Sequence, residues 1–197
     1  MVLQKDLKIA LVVLHKMNNE KQLINISRFL SLMLRHQPET IGIRLDENGW
    51  TDVPVLIEKA GIYGVAFDEA TLRQVVATNS KKRFAFNEAM DKIRASQGHS
   101  VHIDPGYKNQ QPPEILYHGT GEQSVPSILK TGLEKRNRQQ VHLSSDVETA
   151  IRVGQRHGRP VVLKVAAGQM YHDGFQFYLS DNGVWLTDHV PPEYLRP

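Results

Sequence analysis

The chain has 197 residues, of which 40% are apolar and 23% charged, with a formal net charge of +3 and no cysteine. That length can bury one core or two small ones. The lack of cysteine excludes disulfides, thiolate zinc ligands and a cysteine nucleophile. It also fits a reducing compartment. With so mild a net charge, an anion-binding surface has to come from local clustering of basic residues.

Near the N-terminus, "LKIALVVLH" is apolar but short. No small-residue cleavage site follows it, and it is too short to span a bilayer, so it reads as a helix packed on the domain. No other segment has the length and apolarity of a membrane span, and a cytoplasmic protein is expected.

Ile26, Phe29, Leu30, Met33 and Leu34 recur at helical spacing, which predicts an amphipathic helix over 27–35. Pro38 ends it, because the residue before a proline is pushed out of the helical region. Ile41, Ile43 and Leu45 alternate like a strand, and Asn48-Gly49 reads as a turn. "VPVLIEKAG" predicts a short helix closed by Gly61 as a left-handed cap. Asp68 is the expected N-cap of a further helix, "EATLRQVVATN". "RFAF" and "SVHI" read as short strands. Short helices followed by a strand pair predict a winged-helix lobe, an architecture that does not by itself set a function.

"DPGYKNQQPP", residues 104–113, carries three prolines, a glycine and no apolar periodicity, and reads as a linker. Beyond it the predicted elements are a strand in "EILYHGT", a helix in "VPSILKTGL" stopped by Gly132 and a strand in "VHLS". Then come a helix in "DVETAIRVGQRHG" capped by Asp146, a buried strand in "PVVLKVAA", and further strands in "GFQFYLS" and "GVWL". The expectation is an α+β chain of two lobes, the second with a mixed α/β or largely β sheet.

Basic residues cluster in four places: Arg35-His36; Lys81-Lys82-Arg83; Lys135-Arg136 with Arg138; and Arg156-His157 with Arg159. Each alone fits a solvated face or a cation complementing a helix C-terminus. Guanidinium, however, is the group suited to bidentate phosphate contact, and arginines brought together make a phosphate site. In "YHGT", His118, Gly119 and Thr120 put a donor, a bare backbone and a hydroxyl in one strand-end turn, where glycine permits close approach to the main chain. A routine strand-to-loop turn explains the same residues. "VHLSSD" places His142 and Ser144 on one strand face, and "QGHS" places His99 and Ser100 in a polar turn. His99 and His102 form an H-x-x-H pair with no further metal partner, so no metal is expected. The P-loop, the G-x-G-x-x-G fingerprint and the G-x-S-x-G elbow are all missing.

Seven segments in one order carry a resemblance: "FLSLMLRHQPETIGIRLDENGW", "KKRFAF", "IRASQGHSV", "PPEILYHGT", "RQQVHLSSD", "VGQRHGRPVVLKV" and "NGVWLTDHVPPEYL". Together they resemble the NAD-dependent RNA 2′-phosphotransferases, including those that complete tRNA splicing. The resemblance implies a winged-helix RNA lobe over 25–105, a linker over 106–113 and an NAD lobe over 114–197 akin to ADP-ribosyltransferases. Residues 1–24 form an extension outside it. The implied reaction moves an internal RNA 2′-phosphate to NAD through an ADP-ribosylated RNA intermediate. It releases nicotinamide and ADP-ribose 1″,2″-cyclic phosphate.

The family's Arg-His-Arg-Arg tetrad falls on Arg35, His36, Arg83 and Arg138, with Arg136 a nearby competitor for the last position. His118, Gly119, Thr120, His142, Ser144, Arg156, His157 and Gly158 are the implied NAD residues, and Lys82, His99 and Ser100 the implied RNA contacts. Val184 stands where protein-directed ADP-ribosyltransferases often carry a glutamate, a departure the 2′-phosphotransferases share. Partners are then NAD and a 2′-phosphorylated RNA, with no membrane and a monomeric enzyme. Two rival readings are an ADP-ribosyltransferase acting on terminal nucleic-acid phosphates and a winged-helix regulator with a nucleotide-sensing lobe.

Overall fold

The computed structural model describes residues 19–197. The segment "LKIALVVLH" lies outside the described residues. Contacts within the chain divide it into two units, one ending at Ala95 and the other spanning Ser96–Pro197.

In the first unit the leading helix, α1, covers 19–33 of the described residues, and a turn follows over 34–36. Ile26, Leu30, Met33 and Leu34 lie on one face and are buried, with Leu30 and Leu34 fully enclosed. Each such side chain contributes roughly 1.5–3 kcal/mol of apolar burial. Pro38 does more than stop a helix, since it opens a 3-10 turn, Pro38–Ile41, that closes on Gly42 at φ +72°. That turn takes up Ile41, and the strand expected over Ile41–Leu45 does not form. Asn48-Gly49 does turn the chain, with Asp46 Oδ1 accepting the backbone N–H groups of Asn48 at 3.0 Å and Trp50 at 2.9 Å.

Strand β1 is Thr51–Asp52, and helix α2 is Val53–Ile62. Gly61 is not its left-handed cap. The helix runs through Gly61, and the left-handed residue is Gly64 at φ +98°. The Val65 N–H closes back on the Ala60 carbonyl at 2.9 Å. Helix α3 is Glu69–Thr78, with Asp68 accepting the Thr71 N–H at 2.8 Å as expected of an N-cap. Strands β2, Phe84–Phe86, and β3, Lys92–Ala95, complete an antiparallel sheet ordered β1-β3-β2. The partner of "RFAF" is therefore "KIRA" and not "SVHI", which pairs with no strand. Alternation decides this, because Ile93 and Ala95 point into the core that also holds Leu56 and Leu72.

The second unit comprises β4 (Leu116–Gly121), α4 (Val125–Thr131), β5 (Leu133–Glu134), β6 (Val141–Leu143) and α5 (Val147–Gly154). It continues with β7 (Pro160–Val165), α6 (Ala167–His172), β8 (Tyr178–Leu179), β9 (Trp185–Thr187), β10 (His189–Val190) and β11 (Leu195–Arg196). Gly132 stops α4 at φ +86°, and Asp146 caps α5 by accepting the Thr149 N–H at 2.7 Å, both as the sequence predicts. Two three-stranded sheets, β11-β7-β4 and β6-β9-β8, are joined by a bridge between Tyr117 and Ser144. Every pairing among the described residues is antiparallel, and the helices set among these small sheets give the mixture of α and β expected of this part of the chain. Within 104–113, the Gln110 N–H donates to the Phe177 carbonyl at 2.9 Å, and Asn109 bridges Tyr178. The chain as a whole is α+β.

Candidate active site: two arginine-rich centres, one in each unit

In the first unit, Arg35 leaves the end of α1 and donates to the backbone carbonyl of Arg83 at 3.5 Å. Arg83 opens β2 from the loop that follows α3. Asn79, the C-cap of α3, organises that loop. Its Oδ1 accepts the backbone N–H of Lys81 at 3.2 Å, the backbone N–H of Arg83 at 3.4 Å and the Arg83 guanidinium at 3.4 Å. Its Nδ2 donates to Ser27 Oγ on α1 at 3.1 Å. Lys82 takes a left-handed φ of +43° and donates its backbone N–H to the Asn79 carbonyl at 2.8 Å.

The result is a groove of about 560 Å³ lined by Arg28, Arg35 and Arg83, with Ser27, Ser31 and Asn79 among its polar walls. Among the described residues no acidic side chain lines it. His36 is exposed in the turn beside Arg35, its backbone N–H donating to the Leu32 carbonyl at 3.0 Å.

In the second unit, β4 carries His118, Gly119 and Thr120 in register with Leu163, Val162 and Val161 of β7. Gly119 owes its place to packing: a Cβ there would sit 1.7 Å from the Ala150 carbonyl oxygen of α5. Gly121 is similarly pressed against the His157 carbonyl, and Gly154 against the Thr120 carbonyl, at 2.3 and 2.8 Å from an added Cβ. Three bare backbones thus let α5 and the 3-10 turn Gln155–His157 lie on β4, which brings Arg156 and His157 to the strand that carries His118. Gly158 closes that turn at φ +109°.

The His118 Nδ1 lies 3.3 Å from the His142 carbonyl oxygen. A carbonyl only accepts, so the proton is on Nδ1 and the lone pair on Nε2. The Arg138 guanidinium contacts His142 Nδ1. Guanidinium only donates, so His142 carries its proton on Nε2. Of the two candidate arginines, Arg138 makes this contact, whereas Arg136 sits in the preceding turn at φ +51°. Gln139 anchors the segment, its backbone N–H donating to the His99 carbonyl at 3.2 Å and its Nε2 to the Ile103 carbonyl at 3.0 Å. The buried His99 is therefore tied to the segment that carries Arg138, while Ser100 is exposed next to it. Ser144 holds β6 to β4 through its backbone, with Ser144 and Tyr117 exchanging N–H donors at 2.8 and 2.9 Å.

The charges acting within this centre have one sign. Burial lowers the pKa of His118 from its ordinary 6.5, the His142 carbonyl opposes that, and Arg138, Arg136 and His157 lower it further. Desolvation and then the Arg156 charge lower the pKa of Arg138. A neutral His118 among cations leaves a site whose missing counter-charge is an anion. The guanidinium donors suit a phosphate-type anion. Among the described residues no group of three or more His, Cys, Asp or Glu is placed to hold a metal ion. No described helix is long and apolar enough to cross a membrane.

The depressed pKa of His118 has a consequence for stability. The unfolded chain takes up this proton near pH 6.5 and the folded protein only lower, so stability from this group is complete above that value and lost as pH falls below it. The difference in denaturation midpoint between about pH 8 and about pH 5 should shrink in His118→Asn relative to the parent. An unchanged difference would show that His118 titrates alike in both states.

Asn79 carries no motif and was not among the residues singled out in the sequence. The available signal was its position, a polar residue closing a helix just before a basic cluster.

A sequence model of the family described as RNA 2′-phosphotransferase, Tpt1 / KptA family, matches residues 21–189. Among curated relatives, a probable RNA 2′-phosphotransferase of Flavobacterium johnsoniae is 56% identical over 178 residues, which is 90% of this chain and 98% of that protein. Proteins of the same description from Trichormus variabilis and Agrobacterium fabrum are 55% and 57% identical, covering 88% and 86% of this chain and 95% and 91% of their own lengths.

Proposed function

The chain belongs to the RNA 2′-phosphotransferase, Tpt1 / KptA family, and we propose that it transfers an internal RNA 2′-phosphate to NAD. The observation that carries the NAD assignment is the single-signed charge around His118 and Arg138 in the second unit. The groove of Arg28, Arg35 and Arg83, with no acidic lining among the described residues, supports a phosphate-bearing RNA as the other substrate.

In the first step a 2′-phosphate oxygen attacks the anomeric carbon of the nicotinamide ribose. The bond from that carbon to nitrogen breaks, and nicotinamide leaves as a neutral molecule. A phosphate is already anionic near neutral pH and needs little base assistance, in keeping with Val184 where a glutamate would otherwise stand. His118 and Thr120 hold the ribose, and His142, Ser144, Arg156, His157 and Gly158 complete the NAD contacts. Positioning is the main contribution. In the second step the ribose 2″-hydroxyl attacks phosphorus, giving up its proton to solvent, and the bond from phosphorus to the RNA 2′-oxygen breaks. That oxygen takes a proton, for which His36 is the assigned donor. ADP-ribose 1″,2″-cyclic phosphate and RNA with a 2′-hydroxyl are the products. Arg35, Arg83 and Arg138 stabilise the charge gathering on the phosphoryl oxygens. Lys82, His99 and Ser100 are the further RNA contacts. The winged-helix and ADP-ribosyltransferase-like character of the two lobes, their limits at 25–105 and 114–197, a role in tRNA splicing or processing, a monomeric state and a cytoplasmic location belong to the same proposal.

The test is a short RNA with one internal 2′-phosphate, incubated with NAD. Nicotinamide release should match the loss of 2′-phosphate mole for mole. Loss as inorganic phosphate without nicotinamide would end the reading. Nicotinamide release only with a 5′-phosphorylated RNA would replace it with a transferase acting on terminal phosphates.

A further inference from the structure

We infer that Arg28 binds a phosphodiester of the RNA backbone next to the nucleotide that carries the 2′-phosphate, so that the groove of the first unit holds a stretch of chain and not a lone phosphate. This rests on the phosphate-transfer reading for which phosphate reacts, and on separate observations for Arg28. The groove follows α1 and its closing turn from Leu23 to Arg35, about 18 Å at the helical rise. Arg28 and Arg35 are seven positions apart, close to two full turns. They fall on one face, about 10 Å from each other along the axis. Helical bonding continues past residue 33, with the Leu34 and His36 N–H groups donating to the Leu30 and Leu32 carbonyls at 2.9 and 3.0 Å, so the spacing holds up to Arg35. Side chains on a helix lean toward its N-terminus, which carries both guanidinium groups the same way and preserves their separation. Arg35 is in addition held at the Arg83 carbonyl at 3.5 Å. Arg28 therefore meets a different phosphate from the one at the Arg35 end.

The surroundings of Arg28 fit a ligand better than a solvated face. The other two arginines inside described helices each have a glutamate four positions earlier, Glu69 pairing with Arg73 in α3 and Glu148 with Arg152 in α5. Arg28 has Ile24 at that position, and Asn25, Ser31 and Leu32 at the other neighbouring positions of the helix surface. The intrahelical pairing that supports a surface arginine is thus not built here. Beside Arg28, Leu23 and Ile24 line the same end of the groove, and Ile24 is 52% exposed. A guanidinium next to an uncovered apolar wall suits a nucleotide, with its phosphate on the cation and its base or ribose on the apolar side chains.

The test compares a trinucleotide bearing a 2′-phosphate on its central residue, which has a phosphodiester on each side, with a nucleoside 2′-phosphate, which has none. Binding of each, and of the same trinucleotide with a 2′-hydroxyl, is measured over a salt series for the parent, Arg28→Ala and Arg28→Lys. Thermal unfolding of each protein is followed alongside. The parent should hold the phosphorylated trinucleotide more tightly than the nucleoside 2′-phosphate. Arg28→Ala should unfold with the parent and lose roughly tenfold of that advantage, in line with removing one charge-assisted contact. It should also flatten the dependence of log affinity on log salt by about 0.7, the value for one single-strand phosphate contact. Arg28→Lys keeps the charge and should restore the slope. Parent-like trinucleotide affinity and salt slope in Arg28→Ala overturn the inference. So does an equal loss for the trinucleotide and the nucleoside 2′-phosphate, which puts Arg28 on the reacting phosphate. A parent that binds the phosphorylated and 2′-hydroxyl trinucleotides alike removes the 2′-phosphate reading. The slope is then read on the 2′-hydroxyl trinucleotide, where a fall in Arg28→Ala supports the backbone contact and an unchanged slope overturns it.

Discussion

Arg83→Ala and Arg138→Ala are each expected to slow overall turnover by about 10²- to 10³-fold, the range seen when one preorganised donor to a developing oxyanion is removed. The loss should not be spread evenly over the two chemical steps. Expulsion of nicotinamide puts developing positive charge on the ribose and takes charge from the phosphate, so a guanidinium at the phosphoryl group contributes least there. The second step gathers charge on the phosphoryl oxygens and on the departing 2′-oxygen, and there a guanidinium contributes most. RNA carrying ADP-ribose on its 2′-phosphate should therefore build up in both variants, visible as a slower-migrating band when end-labelled RNA is followed over time. Lysine should rescue Arg83 poorly, because the planar fork that also engages Asn79 Oδ1 is lost. A slow variant that accumulates no such species would remove Arg83 and Arg138 from the second step.

The structure separates what could be read locally from what could not. Most caps and breakers were legible because they depend on two or three neighbouring residues, Gly61 being the exception, since the left-handed position falls at Gly64. Asp68 and Asp146 cap helices, Gly132 stops one, and the turn at Asn48-Gly49 forms. Strand partners were not legible, since pairing is decided at a distance. "SVHI" alternates as well as "KIRA", yet only Ile93 and Ala95 find the core beside Phe84. Helix α6 and the short strands β10 and β11 are too brief to leave a periodic trace.

The candidate site divides the same way. The arginines stood out by residue type. What orients them did not: Asn79, Gln139 and the two imidazole tautomers come from contacts across elements, including the 3.3 Å approach of His118 to the His142 carbonyl. The electrostatic case also needed the fold, because Arg136, Arg138, Arg156 and His157 are spread over 22 positions and act together only once β4 and α5 are packed.

Gly119→Ala is expected to cost the second unit about 3 kcal/mol or more, at the upper end of what overpacking costs, since the clash is with a backbone carbonyl that no rotamer change relieves. For a unit of this size that corresponds to a fall of roughly 10–20 °C in its melting temperature. The strand cannot retreat, because His118, Gly119 and Thr120 are all locked in register with β7. Helix α5 cannot retreat without withdrawing Gly154 from Thr120 and the Gln155–His157 turn from Gly121. Arg156 and His157 would then leave His118, so binding of NAD should weaken together with the fold.

Gly61→Ala gives the contrast. Gly61 lies inside α2, and a Cβ there meets nothing within 4 Å. The change should be neutral or stabilising by up to about 1 kcal/mol, from higher helix propensity and a less entropic unfolded chain. Gly119, inside β4, is required by helix packing whether or not a ligand also approaches its backbone, whereas Gly61, inside α2, is not required as a cap. A Gly119→Ala protein that melts with the parent and loses only NAD affinity would show that α5 can yield to a methyl group and that close ligand approach is the reason for glycine there.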